Sequence, residues 1–303
     1  MSHLIVICGA TATGKSDLAV AIAKELNAEI VNADSMQLYK GMDIGTAKLP
    51  LAERQGIPHH LLDVVDVTTD VTVAWYQELA RKTIDELLAQ DKSVVIVGGT
   101  GFYIKAILDD LNFPDTDPNV RANLEAQAEK IGGAAMHARL AKLDPAAALA
   151  IPKENVRRVV RALEVIEITG KPFTANLPRK DSTRYPQALQ FGLASDRANL
   201  DQRIDARVEK MWAQGLVDET EELINQGLLE GKTAQAALGY AQIIRFKHGE
   251  ISESDAKELT KVATRQYARR QETWFTRDER ITWLVPATTS EHAGTVLGTI
   301  LKA

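Results

Sequence analysis

Short apolar runs alternate with helical spacing along the first hundred residues. His3–Cys8, Glu29–Asn32 and Ser93–Val97, the last containing VVIV, have the length of strands and little of the polar alternation of a solvated sheet. Between them, Leu18, Ala19, Ile22, Ala23 and Leu26 recur at helical spacing within Lys15–Leu26, and Val73–Gln90 is amphipathic. Apolar strands separated by helices predict a parallel sheet covered on both faces, so the expected class is α/β, a doubly wound sheet of the P-loop NTPase-like kind.

The pattern changes after the turn-rich Phe113–Pro118. Val120–Gly170 is helical in period, with breaks at Gly132-Gly133, Asp144-Pro145 and Ile151-Pro152, before Gly170–Phe173 and the polar stretch Leu177–Arg184 end it. This predicts a helical insertion, residues 116–187, in a discontinuous core of residues 1–115 and 188–303. Ala188–Leu193 returns as a strand. Helices follow at Leu200–Gln214, Val217–Gln226, Tyr240–His248 and Ser252–Arg277, with a last strand at Ile281–Val285.

Composition adds exclusions. The 303 residues are 45% hydrophobic, enough for a sizeable core, and Cys8 is the single cysteine, so no internal disulfide is expected and a reducing cytoplasm fits. No run approaches the roughly 18 apolar residues of a membrane span, and the apolar start of MSHLIVICGA is too short for a signal peptide. A monomer is the expectation.

Net charge is -5, yet it is unevenly spread. Residues 151–190 carry 8 basic and 4 acidic side chains, and 257–303 carry 8 and 5, so two basic islands interrupt an acidic chain. A polyanion responds to such local fields rather than to the total. On the first island, Arg157 and Arg161 share a helix face beside Arg158; they either contact phosphates or form a solvated face pairing Glu154 and Glu164. On the second, Lys261, Arg265 and Arg269 form a stripe with Arg270 beside it, the footprint of a nucleic-acid backbone. Trp212 and Trp274 are expected in the core, and His59 and His60 in structural rather than metal-binding roles.

Gly9-Ala10-Thr11-Ala12-Thr13-Gly14-Lys15-Ser16 matches G-x-x-x-x-G-K-[ST] between a strand and a helix. Such a loop turns consecutive amides toward one anion at the positive end of a helix, with Lys15 as a point charge and the Ser16 hydroxyl available to Mg²⁺. A di- or triphosphate, ATP included, suits it. Asp34 follows the second strand and Thr100 the third, and in a parallel sheet those ends converge on the ligand crevice. Asp34 reads as a Mg²⁺ ligand, a general base or a turn former. Arg203 and Arg207, four apart, either clamp the phosphates or lie on a solvated face with Asp201, Asp205 and Glu209.

The loop together with Asp34–Gln37, the segment YKGMDIGTAK at 39–48, PHHLLD at 58–63, GGTGFY at 98–103, NVRRVVRALE at 155–164, Gly239-Tyr240 and TRQYARRQ at 264–271 resembles the bacterial tRNA dimethylallyltransferases over nearly the whole chain. The resemblance implies transfer of a dimethylallyl group from dimethylallyl diphosphate to the exocyclic amine of the adenosine 3′ to a tRNA anticodon, with Mg²⁺. It gives Asp34 and Thr100 catalytic roles. It gives tRNA contacts to Asp34, Ser35, Met36 and Gln37, to Arg121, and to Arg157, Arg158, Val159, Val160 and Arg161, the partner being the anticodon stem-loop. Other readings of the same residues are a P-loop small-molecule kinase, a prenyltransferase acting on AMP, and a nucleotide-gated RNA-binding protein.

Overall fold

A computed structural model describes residues 2–176 and 182–302 of the protein. Part of the polar stretch Leu177–Arg184, with Arg179 and Lys180 of the first basic island, lies outside the described residues. The chain separates into two compact units, residues 1–108 with 185–303, and residues 109–184.

The first unit is built on six parallel strands, β1 (Leu4–Cys8), β2 (Glu29–Asn32), β3 (His59–His60), β4 (Val94–Gly98), β5 (Leu189–Leu193) and β6 (Ile281–Leu284), in the order β3-β2-β4-β1-β5-β6. Alternation along β1 explains why it is apolar throughout. Leu4, Val6 and Cys8 face one layer, packed with α2 (Val73–Ala89) and α3 (Gly101–Leu108), whereas Ile5 and Ile7 face the other. That second layer holds α1 (Lys15–Leu26) and α12 (Thr289–Ile300). Cys8 is fully buried, and burial pushes its thiol up to about 12.

The second unit consists of α4 (Pro118–Ile131), α5 (Gly133–Leu143), α6 (Pro145–Ala150) and α7 (Val156–Thr169). Three of these four helices start at a side-chain cap, Asp117, Asp144 and Asn155 each accepting a backbone N–H of the first turn, whereas α5 starts at Gly132. Leu124, Met136, Leu140, Val159, Val160 and Leu163 fill its own core.

The chain then returns to the first unit with α8 (Arg197–Ala213), α9 (Leu216–Asn225), α10 (Tyr240–Lys247) and the 23-residue α11 (Glu253–Phe275). Three elements have no counterpart in the pattern-based reading. β3 is only two residues long, α3 is apolar nearly all round, and α12 alternates small and large residues over a short span.

Candidate active site

The phosphate loop occupies the turn from β1 to α1. Gly14, at φ 93°, starts the helix, and Ala12 holds φ 64°, a left-handed conformation that costs a residue with a Cβ. Such alternation points successive amides into one concavity. Lys15 Nζ reaches back to Ala10 O at 2.6 Å, joined there by Thr13 Oγ1 at 2.9 Å. Its ammonium is crowded by protein, and that burial, with the Arg207 charge, lowers its pKa to about 8.

Asp34 and Thr100 sit just past the ends of neighbouring strands. Ala33 N donates to Val97 O at 2.7 Å and Thr100 N to Ala33 O at 3.3 Å, so the two turns are stitched main chain to main chain. A Cβ on Gly98 would overlap the Ala33 carbonyl, which is why glycine stands there. Thr100 Oγ1 accepts from Ser35 N at 3.2 Å. Asp34 Oδ1 accepts from Met36 N at 3.0 Å, so the carboxylate does form a turn. Asp34 keeps some solvent exposure, yet its carboxyl lies among protein atoms, and this desolvation raises its pKa against the opposing pull of the Met36 amide and Lys15.

Helix α8 turns Arg203 and Arg207 toward the loop. Arg207 Nη1 approaches Thr11 Oγ1 at 3.4 Å, and Arg203 Nη2 lies 3.8 Å from where a side chain on Gly14 would begin. Both therefore face the loop. Burial and the Arg203 charge lower the Arg207 pKa from its ordinary value. Two acids of α8 turn instead to α11: Asp205 pairs with Arg265, and Glu209 with Lys261 at 2.6 Å and Lys257 at 3.1 Å, while Asp201 pairs with Arg197 of its own helix at 3.0 Å and more distantly with Arg269 at 3.8 Å.

A cavity of about 320 Å³ opens beside the loop, lined by Lys15, Ser16, Arg207, Ile44, Leu49 and Met211 among others. Its far wall is the 43–48 turn. Glu219 accepts from the amides of Ile44 (2.8 Å), Asp43 and Gly45 (both 3.2 Å) and from the Tyr240 hydroxyl at 2.6 Å. Lys48, almost wholly buried, donates to Tyr39 O at 2.9 Å and to the carboxylates of Asp43 and Asp63 at 2.6 and 2.5 Å. Gln37 Nε2 is tied to the same turn through Thr46 O at 3.0 Å.

Several expectations need correction. The stripe of Lys261 and Arg265 is consumed by α8 and is a packing seam, not a free electrostatic footprint. Trp274 is not a core residue: it is 43% exposed and meets the edge of Phe102, itself 42% exposed, at a centroid distance of 6.1 Å. Arg269, Arg270, Thr273 and Arg277 surround it. Arg269 and Arg270 of this patch belong to the second basic island, whereas its aromatic part, Trp274 against Phe102, escaped the sequence reading.

In the second unit, Val159 and Val160 are buried in the helical core, so their side chains are not available to a partner. Arg121 and Arg161 both pair with the fully buried Glu164, at 2.6 and 3.0 Å, and Arg161 also donates to Pro114 O at 2.7 Å. Arg157 and Arg158 are exposed and have no ion-pair partner among the described residues.

A family model for IPP transferases matches residues 37–278. The chain belongs to the IPP transferase family. As an IPP transferase it is an enzyme, and its relatives agree over almost the full length. It is 59% identical to a tRNA dimethylallyltransferase of Thermobifida fusca, over 94% of this chain and 90% of that protein. Among solved structures, a tRNA isopentenylpyrophosphate transferase of Bacillus halodurans matches with TM-score 0.73 and 36% identity over 100% of this chain and 96% of the other. A eukaryotic dimethylallyltransferase acting on tRNA matches with TM-score 0.81 and 28% identity, over 94% of this chain and 74% of the other. Among the described residues, no helix of this IPP transferase is long and apolar enough to cross a membrane.

Proposed function

We propose that the protein transfers a dimethylallyl group from dimethylallyl diphosphate to the N6 amine of the adenosine 3′ to a tRNA anticodon. The observation that carries this reading is the meeting, at adjacent strand ends, of an anion cradle backed by Lys15 and Arg207 with the stitched Asp34 and Thr100 turns. A cradle alone serves many phosphate compounds. A desolvated carboxylate beside it suits a reaction in which a weakly nucleophilic amine must be held and deprotonated.

The chemistry is a substitution at the allylic carbon. The N6 lone pair forms the new N–C bond while the C–O bond breaks, and the bonding pair leaves on the diphosphate oxygen. Loop amides, Lys15, Arg203 and Arg207 meet that growing negative charge. The N6 proton passes to the Asp34 carboxylate, whose raised pKa brings it closer to working pH than an ordinary carboxylate. Thr100 Oγ1, fixed by Ser35 N, orients the reacting groups.

Mg²⁺ suits the donors present. Among the described residues no three His, Cys, Asp or Glu side chains form a cage, and Mg²⁺ characteristically takes one or two protein oxygens plus phosphate and water. Ser16 is the loop residue that would hold it, and bound there it would add positive charge at the leaving group.

An anticodon-loop adenosine must leave its stack to reach such a centre. Arg157 and Arg158 of the second unit, and Arg269, Arg270 and Trp274 of the first, supply charge and a stacking surface for the RNA. Arg121 and Arg161, held by Glu164, are further arginines of the second unit available to the RNA. The cytoplasm, where tRNA is used, is the expected compartment, and the buried free thiol of Cys8 fits it.

The test is incubation of the protein with labelled dimethylallyl diphosphate, Mg²⁺ and unmodified tRNA. Label in tRNA is expected; label on AMP, or phosphate released from ATP alone, would overturn the reading. Asp34→Asn should retain tRNA binding and lower turnover by about 10²–10⁴-fold. A parallel loss of tRNA affinity with unchanged turnover would take Asp34 out of the chemical step.

A further inference from the structure

Gln271 is 95% buried on α11, a position where a polar side chain requires partners. It has two, both main chain and both distant in sequence. Oε1 accepts from Thr11 N, in the phosphate loop, at 2.8 Å, and Nε2 donates to Gly99 O, beside Thr100, at 2.8 Å. One carboxamide thus bridges the cradle and the turn that carries Thr100. Glycines at 99 and 101 make the bridge feasible: a Cβ on Gly99 would overlap Gln271 Nε2, and one on Gly101 would overlap the Trp274 ring. One turn earlier on the same helix face, Tyr267 lies beside the Thr100 and Gln271 side chains. The α11 face of Tyr267, Gln271 and Trp274 therefore lies directly on the backbone of the reaction centre.

The geometry points to Gln271 as a positioning residue that sets the separation between the diphosphate cradle and the Asp34–Thr100 pair. This rests on the transfer reaction proposed above. In that reaction the electrophile is held by the loop and the amine by the turns, so their distance is the distance between two main-chain segments joined here by one side chain. Proximity of this kind is steeply distance dependent, with a misplacement of about 1 Å costing about a hundredfold in rate.

Two variants test it. Gln271→Leu keeps much of the volume and removes both hydrogen bonds; Gln271→Glu keeps the acceptor for Thr11 N–H and removes the donor to Gly99 O. Single-turnover transfer, tRNA affinity, thermal melting and the ratio of prenyl transfer to diphosphate cleavage by water are measured for each. The expected result is a drop in the transfer rate of about tenfold to a hundredfold with tRNA affinity within about twofold of wild type. The cleavage ratio should shift toward water, a change that mere loss of stability would not produce. If Gln271→Leu fails to fold, Gln271→Glu carries the test. Wild-type transfer with both folded variants keeping the wild-type rate and ratio would overturn the positioning role. Absence of transfer in the wild type would instead overturn the underlying reaction.

Discussion

Helices α8 and α11 each carry a row of basic side chains at four-residue spacing, and the two rows have opposite fates. Arg203 and Arg207 face the phosphate loop with no carboxylate paired to them among the described ion pairs. Lys261 and Arg265 are neutralised by Glu209, Glu258 and Asp205. The acids that would have quenched the first row quench the second, because α8 presents its arginines on one side and its carboxylates on another. Spacing decides which residues share a face. What the face does depends on the charge of the element set against it.

The largest effect is expected of Arg207→Ala. It should lower the transfer rate by about 10²–10³-fold while leaving tRNA affinity intact, as expected for one donor aimed at developing charge. Steady-state kinetics with a separate tRNA-binding assay checks this.

Next in size is the pH response of the cradle. Lys15 has its pKa lowered to about 8, so the ammonium is present below that pH and lost above it. Affinity of the free enzyme for the diphosphate should therefore hold below about pH 8 and fall by about tenfold per unit above it. Asp34 gives the opposite limb: with its pKa raised, turnover should decline on acidification at a higher pH than for an unperturbed aspartate. A profile of kcat/KM from pH 5 to 10 reads both.

Arg157 and Arg158, adjacent at the start of α7, are a third case, with no ion-pair partner among the described residues. Replacing both Arg157 and Arg158 by Ala should weaken tRNA binding and reduce the slope of log affinity against log salt by about 1.4, the value for two single-strand phosphate contacts. Least affected should be Arg265→Ala. It removes a partly exposed ion pair worth about 0.5–1 kcal/mol, visible as a lower melting temperature, with transfer within about twofold of wild type.

Much of this arrangement is legible along the chain where the determinants are local. The phosphate loop needs glycines and Lys15 at fixed spacing beside a strand and a helix, and α1 and β2 begin and end where the pattern predicts. The convergence of Asp34 and Thr100 follows from parallel topology, since both lie past strand ends. The contacts of Gln271 are different in kind. They join residues 260 and 172 positions apart, and a helical period does not name the partner of a buried face. The fates of the α8 and α11 rows, and the exposure of Trp274, belong to the same class. The helix α12 was accessible in principle, through the capping box of Thr288 and Glu291 and the buried Ala293, Val296 and Ile300, but its small residues dilute the period.

The contact between Ala33 and Gly98 carries a consequence for motion. The spacing of Asp34 and Thr100 is set by peptide groups lying against each other, with no side chain interposed that could switch rotamer. That pair is an anvil of fixed dimensions. Whatever flexes during a catalytic cycle must be the surrounding helices, the loop or the incoming nucleotide, each brought to a surface that does not itself give way.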